Sequence, residues 1–148
     1  MKGMVLAAGL GTRMRPLHPE LPKPLVQLAG RAMIDHVLDR IAEAGIGSAV
    51  VNVHHKADLI EAHVAARQRP DVRISDERAM LLDTGGGVRR AFDRGLLGST
   101  TFLVHNSDSV WLENGVSNLA RLCTAWDDVG MDCLMLLAAT HSSIGYEG

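Results

Sequence analysis

Aromatic residues make up only 3% of the chain, two Trp, two Phe and one Tyr. That leaves no set of ring faces on which successive bases of a single-stranded nucleic acid could stack. An excess of charge of one sign is missing as well. The formal net charge is −2, so no basic field marks a nucleic-acid surface, and any phosphate must be met by a local cluster of cations. Long apolar runs are absent: the first, from Met4, is broken by Gly9 and Gly11. No run approaches the ~20 residues that span a bilayer or has the form of a secretory leader. A cytoplasmic location without membrane or nucleic-acid partners is the expectation. Only two cysteines occur, Cys123 and Cys133, and free buried thiols are expected of them rather than a disulfide. Lysine is scarce too, three against twelve arginines, so the placing of a lysine is informative.

What is present suits one globular domain. The 148 residues are 47% hydrophobic and 22% charged, enough for a single core. Short apolar runs alternate with amphipathic ones. Strands are expected at Met4–Ala8, Ala49–Val53, Val72–Ser75, Thr101–His105 and Cys133–Ala139, and the Leu134–Leu137 run reads as core. Helices are expected at Met33–Ala44, which Gly45 closes, at Ala57–Arg67 with Leu59, Ile60, His63 and Val64 on one face, at Gly87–Arg94 after a glycine triplet, and at Val116–Thr124. Strands alternating with helices imply right-handed crossovers and a mainly parallel sheet covered on both faces. The fold class is therefore α/β, a Rossmann-like three-layer sandwich, in which ligands sit at the carboxyl ends of strands.

Two strand ends carry the chemistry. After the first comes Gly9-Leu10-Gly11-Thr12-Arg13, whose glycines let backbone N–H groups approach an anion closely. A dinucleotide fingerprint would need a third glycine where Met14 stands, and a P-loop would end in Gly-Lys-Ser or Gly-Lys-Thr. Instead Arg13, Arg15 and Lys23 follow, with Glu20 the one acid in the first 25 residues; that suits a triphosphate. Pro22 and Pro24 restrict the backbone on either side of Lys23 and make its ammonium a positioned charge. Asp83-Thr84-Gly85-Gly86-Gly87 offers bare backbone to a base or ribose. At the end of the 101–105 strand, Asn106-Ser107-Asp108 places a carboxylate where it can hold Mg²⁺ against phosphate oxygens. His54-His55, His63 and His105 lack the spacing of a zinc site.

Residues 6–17 and Pro22-Lys23-Pro24-Leu25-Val26, with the two later segments, resemble the signature of the sugar-1-phosphate nucleotidyltransferase family. His18 stands where a threonine is common, and Ser107 replaces the usual glycine of Asn-Gly-Asp. The Thr-Gly-Gly-Gly form resembles the N-acetylmuramate-1-phosphate uridylyltransferases of cell-wall recycling. Mannose-1-phosphate guanylyltransferases are similar as well; glucose-1-phosphate thymidylyl- and uridylyltransferases are less so. The resemblance implies condensation of a nucleoside triphosphate, UTP or GTP, with a sugar-1-phosphate, giving a nucleotide sugar and pyrophosphate. It implies Arg13 and Lys23 as catalytic cations, and Ala8, Gly9, Gly11, Thr12, Arg13, Lys23, Gly86 and Gly87 as nucleotide-binding residues. It further implies Asp108 as the Mg²⁺ ligand and Asn106 and Gly145 as substrate-binding residues. Residues 1–148 would then be the nucleotide-binding part of one nucleotidyltransferase domain, with the family's second metal-binding Asp and sugar-phosphate lysine beyond Gly148.

Overall fold

A computed structural model of the protein describes residues 1–138 apart from Arg13, Arg15, Leu17 and Asn114. In chain order the elements are β1 (Lys2–Leu6), a single 3-10 turn (Lys23–Leu25), β2 (Gln27–Leu28), β3 (Arg31–Ala32), α1 (Met33–Glu43), β4 (Ser48–Val53), α2 (Ala57–Ala65), β5 (Asp71–Asp76), α3 (Asp83–Asp93), β6 (Phe102–Asn106) and α4 (Asn118–Ala125). β2 and β3 form a small antiparallel ribbon. The remaining four strands make one sheet in the order β5-β4-β1-β6, parallel throughout.

Strand alternation sorts side chains to the two faces of this sheet. Val5, Ala49, Val51, Val53 and Leu103 point to one side and join Ile34, Val37, Leu38 and Ile41 of α1, Ile60 and Val64 of α2, and Leu119 of α4. Met4 and Val50 point to the other and meet Ala91 of α3 and Leu97. Helices thus cover both faces, the three-layer sandwich that the alternating pattern implies.

Local signals explain the element ends. Apolar residues at helical spacing give α1 its buried stripe. It stops where Gly45, at φ +83°, lets its N–H reach Ala42 C=O at 3.0 Å and Ile46 N–H reach Ile41 C=O at 3.1 Å, satisfying carbonyls that the helix leaves open. Ser117 caps α4, its hydroxyl accepting from Ala120 N–H at 3.3 Å. Between α1 and α2, His63 lies 2.9 Å from Asp35, and Arg67 donates to Asp35 at 2.8 Å and to Asp39.

Several expectations need correction. α3 begins at Asp83, so the glycine triplet lies inside the helix rather than ahead of it. In α2 the buried residues are Ala57, Ile60 and Val64, whereas Leu59 is 44% exposed. The apolar run from Cys133 is neither strand nor core. Residues 133–138 form no ladder, and Leu137 is 77% exposed. They share a groove with β6, the edge of the sheet, and no further layer among the described residues covers them. Ala139, the end of that expected strand, lies outside the described residues. Both cysteines are free, but neither is buried: Cys123 is half-buried and Cys133 exposed.

Core position and surface position should therefore separate cleanly on one pair of helices. Leu38→Ala, at a fully buried site, is expected to lower the unfolding free energy by about 2–5 kcal/mol. Leu59→Ala is expected to change it by less than about 0.5 kcal/mol. Denaturant titration checks both, and similar losses at the two sites would contradict the layer assignment.

Candidate active site

The four parallel strands end level with one another. Ser75 pairs with Asn52, Asn52 with Leu6, and Leu6 with Asn106, so one row of residues marks the carboxyl rim. From β1 the chain crosses to β4 and on to β5; it then returns to place β6 on the opposite side of β1. Among the described residues no crossover passes over the rim between β1 and β6, and this reversal opens a crevice there.

The crevice measures about 490 Å³. Its walls come from the loop after β1 (Ala7–Thr12), Lys23 and Pro24, the start of α3 (Asp83 and Thr84), and the segment after β6 (Asn106–Asp108), with Asn52 and Leu81 completing it. Ladder-like hydrogen bonds continue past the strand ends. Ser107 N–H donates to Leu6 C=O at 3.1 Å, and Ala7 N–H donates to the Asn52 side-chain oxygen at 2.7 Å. Ala7 and Ala8 are buried, and Gly9 is open to solvent. Gly11 has φ +60°, and a Cβ there would stand 3.3 Å from Lys23 Cβ. Glycine thus satisfies both the backbone angle and the close passage of the lysine segment.

Lys23 is carried by the 3-10 turn, where Leu25 N–H donates to Pro22 C=O at 2.9 Å and Val26 N–H to Lys23 C=O at 3.1 Å. With Pro24 buried beneath it, this turn aims the ammonium across the crevice, where it forms an ion pair with the Asp108 carboxylate. Behind that carboxylate, His105 is buried and stacked on Trp111, with ring centroids 5.1 Å apart and planes at 22°. Its Nδ1–H donates to Asn106 C=O at 2.6 Å.

Most of the expected site residues meet here: Ala8, Gly9, Gly11, Thr12, Lys23, Asn106 and Asp108 all line one crevice. Gly86 and Gly87 do not. They lie in the first turns of α3, one layer behind Asp83 and Thr84. A Cβ on Gly87 would stand 2.6 Å from Asn52 Nδ2 and 2.8 Å from Glu77 Oε1. Its lack of a side chain is therefore needed for packing against a hydrogen-bonded pair. Arg13 and Gly145 lie outside the described residues. Asn52 and Glu77 were not singled out from the sequence, although a polar residue interrupting the Val50-Val51-Asn52-Val53 run was the available signal.

Asp108 and Asp83 are, among the described residues, the carboxylates on the crevice walls. Among the described residues no group of three or more His, Cys, Asp or Glu could enclose a metal ion. The Asp108 and Asp83 carboxylates are of the kind that would hold Mg²⁺ by one or two oxygens, the rest of its shell being phosphate oxygens and water. His54 lies 2.7 Å from Glu77 C=O, His63 pairs with Asp35, and His105 stacks on Trp111; these partners account for three of the histidines in structural terms. No helix among the described residues is long and apolar enough to cross a membrane.

The sequence profile of the MobA-like NTP transferase domain matches residues 3–142. An N-acetylmuramate alpha-1-phosphate uridylyltransferase of Caulobacter vibrioides is 50% identical, over 97% of this chain and 60% of its own length. A mannose-1-phosphate guanyltransferase of Neurospora crassa is 35% identical, over 88% of this chain and 36% of its own. A UDP-glucose pyrophosphorylase from Acinetobacter baumannii superposes with a TM-score of 0.71 at 22% identity, over 83% of this chain and 51% of that one. The last is a likeness of fold. The chain spans less than two thirds of the length of either curated relative.

His105 supplies a pH dependence with a definite sign. Burial holds its pKa below the ordinary imidazole value, against the pull of Asn106 C=O and the Asp108 carboxylate. The unfolded chain then takes up the proton more readily than the folded one. The stabilisation is complete above the ordinary imidazole range and is lost as pH falls through it toward the folded value. His105→Phe is expected to show a shallower loss of stability between about pH 7 and pH 5 than the parent protein. Parallel curves in denaturant titrations over that interval would rule this out.

Proposed function

The chain belongs to the family of MobA-like NTP transferase domains, and on that premise we propose that its crevice binds a nucleoside triphosphate and serves nucleotidyl transfer to a sugar-1-phosphate. The observation that carries the proposal is the Lys23–Asp108 ion pair across the crevice between the glycine loop and the end of β6. It brings a phosphate-seeking cation and a metal-seeking carboxylate together from two walls of the 490 Å³ crevice. The glycine loop, Gly9 to Thr12, lines the same crevice.

In this reading an oxygen of the sugar-1-phosphate attacks the α-phosphorus. One P–O bond forms, the bond from the α-phosphorus to the bridging oxygen breaks, and pyrophosphate leaves with that oxygen. The chemistry asks for alignment and neutralisation of charge rather than for a covalent nucleophile. Gly9, Gly11 and Thr12 would hold the triphosphate through backbone groups, and Ala8 would lie under the base. Lys23 would offset charge at the α-phosphate, Arg13 would stabilise the departing pyrophosphate, and Asn106 and Gly145 would meet the sugar substrate. Asp108 would hold Mg²⁺, which when bound neutralises phosphate oxygens. Gly86 and Gly87 would act on base and ribose through α3, whose first residues Asp83 and Thr84 stand in the crevice wall.

For the substrates we propose UTP and N-acetylmuramate 1-phosphate, supported by the 50% identity to the Caulobacter relative. The same reading implies a cytoplasmic step of peptidoglycan recycling. The Neurospora relative makes GTP and mannose 1-phosphate the pair to test beside it. Pyrophosphate release with Mg²⁺ and each pair measures this directly. Lys23→Ala and Asp108→Asn are each expected to lower turnover by at least about 10²-fold, and a parent-like rate in either variant contradicts its role. Turnover with the GTP pair alone moves the substrate assignment. Nucleotide binding with no turnover for any pair makes the chain a binding module.

A further inference from the structure

Two buried polar side chains meet at the floor of the crevice, Asn52 in its wall and Glu77 behind it. Asn52, near the end of β4, is 2% exposed, and Glu77, just past β5, is fully buried. Both ends of the Asn52 amide are engaged: Oδ1 accepts from Ala7 N–H at 2.7 Å and Nδ2 donates to Glu77 Oε1 at 2.9 Å. The backbone of Glu77 is held in turn. Its N–H donates to Val53 C=O at 2.8 Å, and its C=O accepts from His54 Nδ1 at 2.7 Å. The α3 helix is seated against the same pair at Gly87, where any Cβ would overlap it.

Core packing alone does not account for this arrangement. A buried carboxylate is costly, and Glu77 Oε2 has no partner among the described residues, which adds to the cost. Apolar residues of similar volume fill such a position at least as stably. What they cannot supply is an acceptor for Ala7 N–H. That group lies one residue beyond β1, where the ladder to β4 has ended, and it precedes the glycine loop.

We propose that Asn52 and Glu77 are positioning residues for the nucleotide loop. Glu77 orients the Asn52 amide so that its oxygen faces Ala7, and Asn52 fixes Ala7 N–H, which sets the direction in which Ala8–Gly11 leaves the sheet. Gly87 lets α3 close on the same pair, so the crevice walls formed by the glycine loop and by Asp83–Thr84 share one anchor. The functional consequence rests on the nucleotide reading above; the geometry does not.

The test follows the Ala7 amide by NMR and, separately, the affinity for UTP with Mg²⁺ by calorimetry. In the parent protein the Ala7 amide is expected to exchange slowly although it lies past the strand. Asn52→Ala and Glu77→Ala are expected to shift that resonance upfield, release its exchange protection, and weaken UTP binding by at least about tenfold. Glu77→Gln, which keeps an acceptor oxygen toward Asn52, is expected to restore both readouts. A structural carboxylate would show no such rescue. Fast exchange of Ala7 in the parent protein overturns the proposal without any variant having to fold. An unchanged resonance in both alanine variants, or a Glu77→Gln protein as impaired as Glu77→Ala, overturns it as well. If the parent protein binds no UTP, the functional reading falls, whereas the Ala7 readouts still decide the positioning.

Discussion

Parallel strands need crossovers, and a chain whose crossovers run first to one side of its opening strand and then to the other leaves an uncovered notch at that strand's carboxyl end. In this protein the notch lies between β1 and β6, and the rest of the site depends on it. The level strand ends bring the loops after β1 and β6 to the same height. Ser107 N–H closes onto Leu6 C=O on one side, and Ala7 N–H onto Asn52 on the other. The glycine loop therefore starts from an anchored point before it opens to solvent. Its freedom is confined to the residues that a ligand would touch.

The charges across the notch are arranged to give way. Lys23 and Asp108 are each about one-third exposed, with side chains at 31% and 32%. Ion pairs at that exposure contribute roughly 0–1 kcal/mol. Such a contact offsets charge in the crevice but offers little resistance to a phosphate or a cation that replaces either partner. Stiffness comes from the surroundings instead: the prolines on either side of Lys23, the 3-10 turn they shape, and the packing of the His105 ring on Trp111 behind the carboxylate.

Elements whose sequence pattern and packing agree were legible from the residues alone. The α1 stripe, the β-branched β4 and the strand before Asn106 lie within a residue or two of expectation, because local spacing and burial demand the same structure. Differences arise where a long-range partner decides. The glycine triplet reads as a loop, since glycine disfavours helix interiors. Within the fold, helix is tolerated from Asp83 because Gly87 must pass over Asn52 and Glu77. That pair is 25 residues apart, and no local rule links its members. The run from Cys133 reads as core because a continuous apolar stretch ordinarily has two covered faces. Here it lies beside an edge strand, uncovered among the described residues. The convergence of Gly9, Gly11, Lys23 and Asp108 was legible because glycine, proline and charge restrict chemistry at each position separately.

The central claim is that the notch between β1 and β6 holds the triphosphate of a nucleotide. Backbone amide shifts recorded while UTP and Mg²⁺ are added test it most directly. The amides of Gly9, Leu10, Gly11 and Ser107 are expected to move together and to saturate at one ligand concentration. Saturable binding that leaves those four resonances in place, and moves others away from the carboxyl rim of the sheet, would contradict the account.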